Sequence, residues 1–557
     1  MKKEVYKIGK DSKTGKDSKT GKDIKIGKDS KIGKDSKIGK DNKTSIDSKT
    51  NKNNTSNKKD KSISRKDENT VKKATAKNAL SACPYQKKCG GCKYIDTPYE
   101  EQLKIKQNFV NSQLSEIAKA EGIKVGKIVE ADNPLYYRNK VHSVFDRDAH
   151  GHIIRGIYQE ESHKIVNVSG CKIENQTADK VIEEIKSLLP SFKLKVYDEG
   201  THYGFLRHVL IRVAQYKGET KLMVVLVTSI VNFPSKNNFI KVLTEKFPEI
   251  ETIVQNINDK ATSMVLGDRN IVIFGKGFVL DDSLGLTFRI SPSAFFQINS
   301  EQTKKLYSLA TDAAALTGKE TVLDAYCGTG TIGMFMADKA AQIVGVELNK
   351  DAVKDAIYNA KLNELKNVFF VNDDATSYMS RVVSRKEEND NEMKNFNIDV
   401  LVMDPPRSGS TPEFIKAVSE LKIGRIVYVS CNPETLARDL KEFRKKRYKV
   451  EKITPVDMFP QTVHVETVVC LSQQKPDDYI EIEIDLDEID ATSAETKATH
   501  KEIQNWVQEH HGFHMTNLNI AQVKQKHGST QTGEWQICVD CIQKCTGIQG
   551  RKCRRRE

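Results

Sequence analysis

Asp324-Ala325-Tyr326-Cys327-Gly328-Thr329-Gly330-Thr331-Ile332-Gly333 is the stretch that decides the fold of this 557-residue chain. An apolar run, Thr321–Ala325, precedes the glycines and a helical pattern, Thr331–Ala337, follows them, so the stretch reads as strand, tight turn and helix. Outward from it the rhythm repeats. Runs of buried-strand type lie at Ile343–Glu347, Val368–Asn372, Asp399–Met403 and Arg425–Ser430, with helical patterns at Asp351–Leu362, Pro412–Leu421 and Pro433–Phe443. Parallel strands need crossovers of helix length, so the alternation predicts an α/β fold, a doubly wound parallel sheet. Tyr448–Pro455 and His464–Leu471 are joined by a short connection and should close the sheet as an antiparallel pair.

The rest of the chain divides by composition. Residues 1–80 carry 25 of the 89 basic and 11 of the 75 acidic side chains, which accounts for the whole net charge of +14. The high isoelectric point therefore says nothing about a basic body. Gly9, Gly15, Gly21, Gly27, Gly33 and Gly39 mark a lysine-rich hexapeptide repeat that cannot bury enough apolar surface to order itself. A stacked β-helix is the alternative to a disordered tail, but only Ile and Thr would face its core. Residues 81–130 form a cysteine segment running into a helical pattern (Tyr99, Leu103, Phe109, Val110, Leu114, Ile117). Residues 131–284 read as a central α+β domain with strands at Val209–Val213, Lys221–Val227, Thr252–Ile257 and Ile271–Phe274, residues 285–475 as the α/β domain, and residues 476–557 as an extension of unassigned role with a helix at Ala494–Glu509. No apolar stretch reaches the length of a membrane span, and Met1-Lys2-Lys3-Glu4 leads into no apolar segment, which predicts a cytoplasmic protein with no membrane partner.

Gly328, Gly330 and Gly333, with Glu347 closing the next strand, match a dinucleotide fingerprint. Asp324 opposes that reading, since a carboxylate in the last strand turn would meet pyrophosphate. The same acid suits a cationic sulfonium ligand with an amino-acid end. S-adenosylmethionine is therefore favoured over NAD, with Glu347 on the ribose and Asp373 or Asp374 near the adenine amine.

Two further strand ends carry reactive groups. Asp404-Pro405-Pro406-Arg407 makes a rigid corner that can hold a planar base beside a methyl donor. Cys431, before Asn432-Pro433, lies on the same rim at a helix N-terminus that should favour thiolate. In Val463-His464-Val465-Glu466-Thr467 the alternation turns His464 and Glu466 to one face, and either could be a base. These parts fit one reaction, the methylation of a pyrimidine at C5. Cys431 would add to C6, Glu466 would remove the C5 proton, and Arg407 or Asn432 would stabilise the enolate. Cys327 and Cys470 read as packing residues.

Cys83-x5-Cys89-x2-Cys92 with Cys171 offers four thiolates, and zinc or a [4Fe–4S] cluster fits them equally well. Cys538, Cys541, Cys545 and Cys553 have spacings a metal could use but no apolar core around them.

The chain resembles the RNA 5-methyluridine methyltransferases, the 23S ribosomal RNA uracil-C5 enzymes of the iron–sulfur type and their transfer-RNA relatives. The resemblance spans about Cys83 to Ser472. It rests on Cys83-Pro-Tyr-Gln-Lys-Lys-Cys89-Gly-Gly-Cys92, Tyr137-Arg138-Asn139-Lys140, Leu206-Arg207-His208, Ser291-Pro-Ser-Ala-Phe-Phe-Gln297-Ile-Asn299, Asp324-Ala-Tyr326-Cys-Gly-Thr-Gly330, Asp404-Pro-Pro-Arg407, Ser430-Cys431-Asn432-Pro433 and His464-Val-Glu466-Thr467. It implies S-adenosylmethionine binding by Gln297, Tyr326, Glu347, Asp374 and Asp404, a nucleophile at Cys431 and a base at Glu466. It also implies a structural [4Fe–4S] cluster on Cys83, Cys89, Cys92 and Cys171. The implied partner is 23S ribosomal RNA, acted on by a monomer. Transfer RNA as substrate and a non-catalytic ribosome-assembly role are the alternatives. RNA contacts are expected from Tyr136, Tyr137, Arg138, Lys140, Arg207, His208, Arg212 and the run Arg444–Arg447. Many relatives carry a β-barrel RNA-binding domain ahead of the cysteines, which residues 1–80 cannot form.

Overall fold

A computed structural model describes residues 83–474 apart from 161, 163, 263 and 389–395, and beyond these only residues 5–6, 481–483, 505 and 536–538. The repeat tail, the helix expected at 494–509 and three of the last four cysteines (Cys541, Cys545, Cys553) therefore lie outside the described residues, except for Val5, Tyr6 and Asn505.

After a single helical turn at Gln86–Cys89 come helix α1 (Tyr99–Ala120), strands β1 (Lys140–Arg147), β2 (Ile153–Tyr158) and β3 (Ile165–Asn167), and helix α2 (Gln176–Ser191). Strands β4 (Leu206–Tyr216) and β5 (Glu219–Thr228), helix α3 (Lys236–Lys246), and strands β6 (Ile250–Ile257) and β7 (Arg269–Phe274) complete a seven-stranded sheet of order β3-β2-β1-β4-β5-β6-β7. All its pairs are antiparallel except β5–β6, which α3 connects. One face carries Val209, Ile211, Val224 and Ile253 against Val181 and Ile185 of α2 and Phe239 and Leu243 of α3. The other face of β4–β6, with Leu210, Met223, Val225 and Val254, packs on the segment that contains β8 (Val279–Asp281) and β9 (Phe288–Ile290).

The second sheet begins after α4 (Ser300–Ala314). Its units are β10 (Thr321–Ala325), α5 (Thr331–Phe335), β11 (Gln342–Glu347), α6 (Lys350–Leu362), β12 (Val368–Asn372), α7 (Ala375–Glu387), β13 (Val400–Met403), α8 (Pro412–Glu420), β14 (Arg425–Ser430), α9 (Pro433–Lys445), β15 (Tyr448–Val456) and β16 (Glu466–Gln473). The order is β12-β11-β10-β13-β14-β16-β15, with the two-residue strand Val5–Tyr6 pairing antiparallel on the β12 edge. The first five strands are parallel and the last two run antiparallel, with β16 inserted beside β14. That is the doubly wound sheet with an antiparallel close that the alternation predicts. Both faces are buried, so the strands are continuously apolar. Val322, Ile343, Val402 and Val427 face α4, α5 and α6, while Leu323, Val344, Leu401 and Ile426 face α1, α7, α8 and α9.

Helix α7 was not among the helices expected from sequence. Ala375, Met379 and Val382 do recur at helical spacing on its buried side, but serines and threonines between them dilute the pattern. The strand expected at His464 begins only at Glu466.

Candidate active site

The carboxyl ends of β10, β11, β12, β13 and β14 open into a cleft of about 1090 Å³. Gln297, Tyr326, Glu347, Asp374, Asp404, Cys431 and Glu466, which lie up to 169 positions apart in the chain, all line it. Their convergence follows from topology, since in doubly wound sheets ligands bind outside the carboxyl ends where the strand order reverses.

Each residue is delivered by a local device. Gly330 adopts a positive φ of 78° before α5, where a Cβ would strike Phe370 at 2.6 Å; only glycine fits this turn. Asp324 is fully buried and accepts from the Gly333 amide at 2.9 Å, so it pins the turn to the strand. The cap engages Oδ2 and leaves Oδ1 without a hydrogen-bond partner. Burial pushes its carboxyl up to about 7. Tyr326 sits at φ 63°, a conformation costly for a side chain of that size, with its ring 5.7 Å from Phe414. Glu347 accepts from the amides of Gly328 (3.0 Å) and Asn349 (2.7 Å), which fixes its carboxylate at the floor between β10 and β11. Asp374 caps α7 by accepting from Ser377 N at 2.8 Å. Its neighbour Asp373 is buried and ion-paired with Arg381. Gln297 is held through its own backbone, whose carbonyl accepts from Asn139 Nδ2 at 3.0 Å.

Strand register places the two reacting residues. Ser430 on β14 lies opposite Thr467 on β16, so the next positions outward, Cys431 and Glu466, meet at the rim. Glu466 is buried, and desolvation together with the nearby Asp404 charge holds its carboxyl well above the ordinary range. Asp404 is raised by the same desolvation. Cys431 departs from expectation: burial, then the charges of Glu466 and Asp404, push its thiol up to about 11. Arg407, which lowers it, is outweighed. Asn432 caps α9 through Oδ1 at Glu434 N (3.1 Å), and its Nδ2 donates one hydrogen to Arg407 O (3.4 Å). His464 lies before the strand and accepts from Arg407 Nη2 at 2.6 Å. Burial and Arg407 lower its pKa, so it is a neutral acceptor that orients the guanidinium.

Some expected RNA contacts are spent inside the protein. Arg207 is buried, donates to Asn258 O and Lys260 O, and pairs with Glu199. Tyr137 donates to Pro460 O, and Arg444 pairs with Glu121. A group that sequence reasoning missed is Asp439. It accepts from Ser410 N and Tyr428 OH, both at 2.7 Å, and together with Arg438 on Ser408 O and Ser410 O it braces the loop after Asp404. Nothing marks such a helix acid in the sequence, since its partners are distant.

Cys83, Cys89 and Cys92 lie about the short helix Gln86–Cys89, and Cys171 in the loop after β3 feels the charge of Cys92. Burial pushes the Cys92 and Cys171 thiols up to about 12. Among the described residues, no three His, Cys, Asp or Glu side chains are arranged to hold a metal ion. The four thiols are nonetheless grouped, Cys83 acting on Cys89 and Cys92, and Cys92 on Cys171, and their donor type suits a cluster.

A parallel α/β sheet with acids and a thiol at its carboxyl rim defines a group-transfer enzyme that takes a nucleotide-like cosubstrate. Residues 272–474 match the family model described as tRNA (Uracil-5-)-methyltransferase. Proteins named uncharacterized RNA methyltransferase are similar: one from Oceanobacillus iheyensis is 40% identical over 385 residues, covering 69% of this chain and 81% of its own. Another, from Staphylococcus aureus, is 38% identical over 386 residues, covering 69% of this chain and 83% of its own. Among solved structures, the Pyrococcus abyssi tRNA (uracil-54, C5)-methyltransferase in complex with S-adenosyl-L-homocysteine superposes with a TM-score of 0.56 at 28% identity, covering 70% of this chain and 87% of that one. This chain belongs to the RNA 5-methyluridine methyltransferase family and is an enzyme.

Proposed function

We propose that the protein methylates C5 of uracil in RNA with S-adenosylmethionine as donor. The observation that carries this is the placement of Cys431 and Glu466 one step beyond the last β14–β16 pair, Ser430 opposite Thr467, with Asp404 in the same cleft. The cleft fits the donor: Asp404 and Glu466 are buried acids with raised pKa, an environment short of positive charge that a sulfonium would supply. Gln297, Tyr326, Glu347 and Asp374 would hold its adenosine and amino-acid ends. When bound, the donor supplies an electrophilic methyl group.

The chain's own residues do the rest. Cys431, as thiolate, bonds to C6 of uracil, and the electron pair of the C5–C6 double bond moves toward O4 as an enolate. Arg407, oriented by His464, is placed to offset that charge. The enolate pair at C5 forms the bond to the methyl group, and the pair of the broken methyl–sulfur bond would remain on sulfur, leaving S-adenosylhomocysteine. Glu466, ionised once positive charge enters the site, then accepts the C5 proton. The C6–sulfur bond breaks, its electrons return to sulfur, and the double bond is restored. Cys431→Ala should abolish 5-methyluridine formation. Cys470→Ala should preserve it, because Cys470 is a buried strand residue whose sulfur contacts Arg425 Nη1 at 3.1 Å, away from the cleft.

As substrate we infer 23S ribosomal RNA, on the resemblance to the iron–sulfur type and the four-cysteine segment. Transfer RNA is the second reading, favoured by the solved archaeal relative named above. Nucleoside analysis of separated 23S and transfer RNA from a strain lacking the gene distinguishes them by which pool loses 5-methyluridine. The [4Fe–4S] cluster remains a separate proposal about Cys83, Cys89, Cys92 and Cys171, and no step is routed through it. Iron and acid-labile sulfide in anaerobically purified protein, against zinc alone, test it.

A further inference from the structure

The connection from β15 to β16 turns at Phe459-Pro460-Gln461-Thr462, where Thr462 N donates to Phe459 O at 3.2 Å. Proline stands second in this turn, and the third residue, Gln461, has a φ of 70°, the left-handed value that type II turns require there. Glycine or asparagine is the usual occupant, because a longer side chain is strained at positive φ. Here the position is held by a glutamine with no exposed surface. Strain of this kind persists where the surroundings over-determine it, and it gathers at functional sites.

The surroundings of Gln461 do so. Its backbone N donates to Gln102 Oε1 at 3.0 Å, Gln102 Nε2 donates to Gln461 Oε1 at 2.8 Å, and Gln461 Nε2 donates to Pro134 O at 3.3 Å. Four successive carbonyls are also engaged from distant parts of the chain: Met458 O by Asn299 Nδ2, Phe459 O by Lys106 Nζ, Pro460 O by Tyr137 OH and Gln461 O by Tyr94 N. Helix α1 with the residues ahead of it, the segment before β1, and the loop that carries Gln297 thus converge on one turn. Both ends of that turn touch His464. The Phe459 ring stands perpendicular to the imidazole with centroids 6.2 Å apart, and Thr462 Oγ1 accepts from His464 N at 3.3 Å. His464 accepts from Arg407, and Phe459, His464 and Arg407 all line the cleft. A glycine at 461 would relax the backbone but lose every bond of the amide, so the glutamine is explained by what its side chain fixes.

We propose that Gln461 is a positioning residue for methyl transfer: its amide locks the turn that aims His464, and through it Arg407, at the reacting base. The inference rests on the RNA-methylating reading and adds to it a residue outside the cleft. Gln461→Gly tests it, since glycine suits the positive φ and removes only the side chain. The variant should unfold cooperatively in urea and bind S-adenosylhomocysteine as wild type does. Single-turnover formation of 5-methyluridine should slow about 10²-fold, the scale of a reacting group misplaced by about an ångström. In a His464→Ala background, which already lacks the group being aimed, Gln461→Gly should slow the reaction little further, whereas a merely structural loss would multiply through in both backgrounds. Gln461→Asn, which tolerates the backbone and keeps a shorter amide, should show the same dependence on His464 with a smaller loss, and it carries the test if the glycine variant does not fold. Full rate in a folded variant, or the same fold-loss with and without His464, overturns the proposal. Wild-type protein that forms no 5-methyluridine would instead remove the methylation reading itself, on which this role of Gln461 depends.

Discussion

At the scale of single residues, the cleft resolves a conflict between burial and reactivity. Cys431 must lose a proton to attack, yet its surroundings push the thiol up to about 11. The thiolate fraction therefore climbs with pH across the neutral range, and single-turnover methyl transfer should climb with it, about tenfold per pH unit where this deprotonation limits the rate. A rate that falls between about pH 7 and 9 would contradict this assignment. Glu466 acts later, so Glu466→Gln should slow turnover about 10²–10⁴-fold and let a protein–RNA adduct accumulate on a denaturing gel. The sequence made Cys431 and Glu466 legible because each ends or starts a strand with an unusual neighbour. It misled on the sign of the thiol shift, because the burial of Cys431, and after it the charges of Glu466 and Asp404, come from packing that cannot be seen along the chain.

At the scale of elements, α1 is clasped to the connection between β15 and β16. Lys106 and Asp457 form a buried pair at 2.5 Å, Tyr99 donates to Asp457 at 2.8 Å, and Gln102 exchanges hydrogen bonds with Gln461 at 2.8 and 3.0 Å. Gln461 stands three residues before His464 and five before Glu466. Lys106→Met strands a buried carboxylate and should cost about 3–5 kcal/mol in urea unfolding, with much of it recovered in Lys106→Met/Asp457→Leu. No recovery would mean that α1 packing, not the charge, is what the lysine supplies. Asp439→Ala should loosen the loop after Asp404, cutting methyl transfer while the donor's product, S-adenosylhomocysteine, still binds; retention of full activity would show that the loop needs no brace. The strands of the second sheet were readable because both faces are buried and the apolar runs are unbroken, as were helices α1, α5, α6, α8 and α9. Helices α2, α3, α4 and α7 were not expected; in α7, Ala375, Tyr378, Met379, Val382 and Val383 mark the inner side, but serines and threonines interleave them.

At the scale of the molecule, two sheets share one core, and the central sheet buttresses the loop that carries Gln297. Asn139 and Arg212 reach that loop from behind, through Gln297 O and Ala294 O. Composition could not reveal this arrangement, because the positive excess lies in residues 1–80 and the remainder is neutral. The measurement that bears most directly on the mechanism is trapping. RNA carrying 5-fluorouridine at the methylated position cannot release a proton from C5, so incubation with the protein and S-adenosylmethionine should leave Cys431 covalently bound to C6, and Cys431→Ala should leave no adduct. Absence of the adduct on wild-type protein that methylates the unfluorinated RNA would contradict covalent catalysis by this thiol.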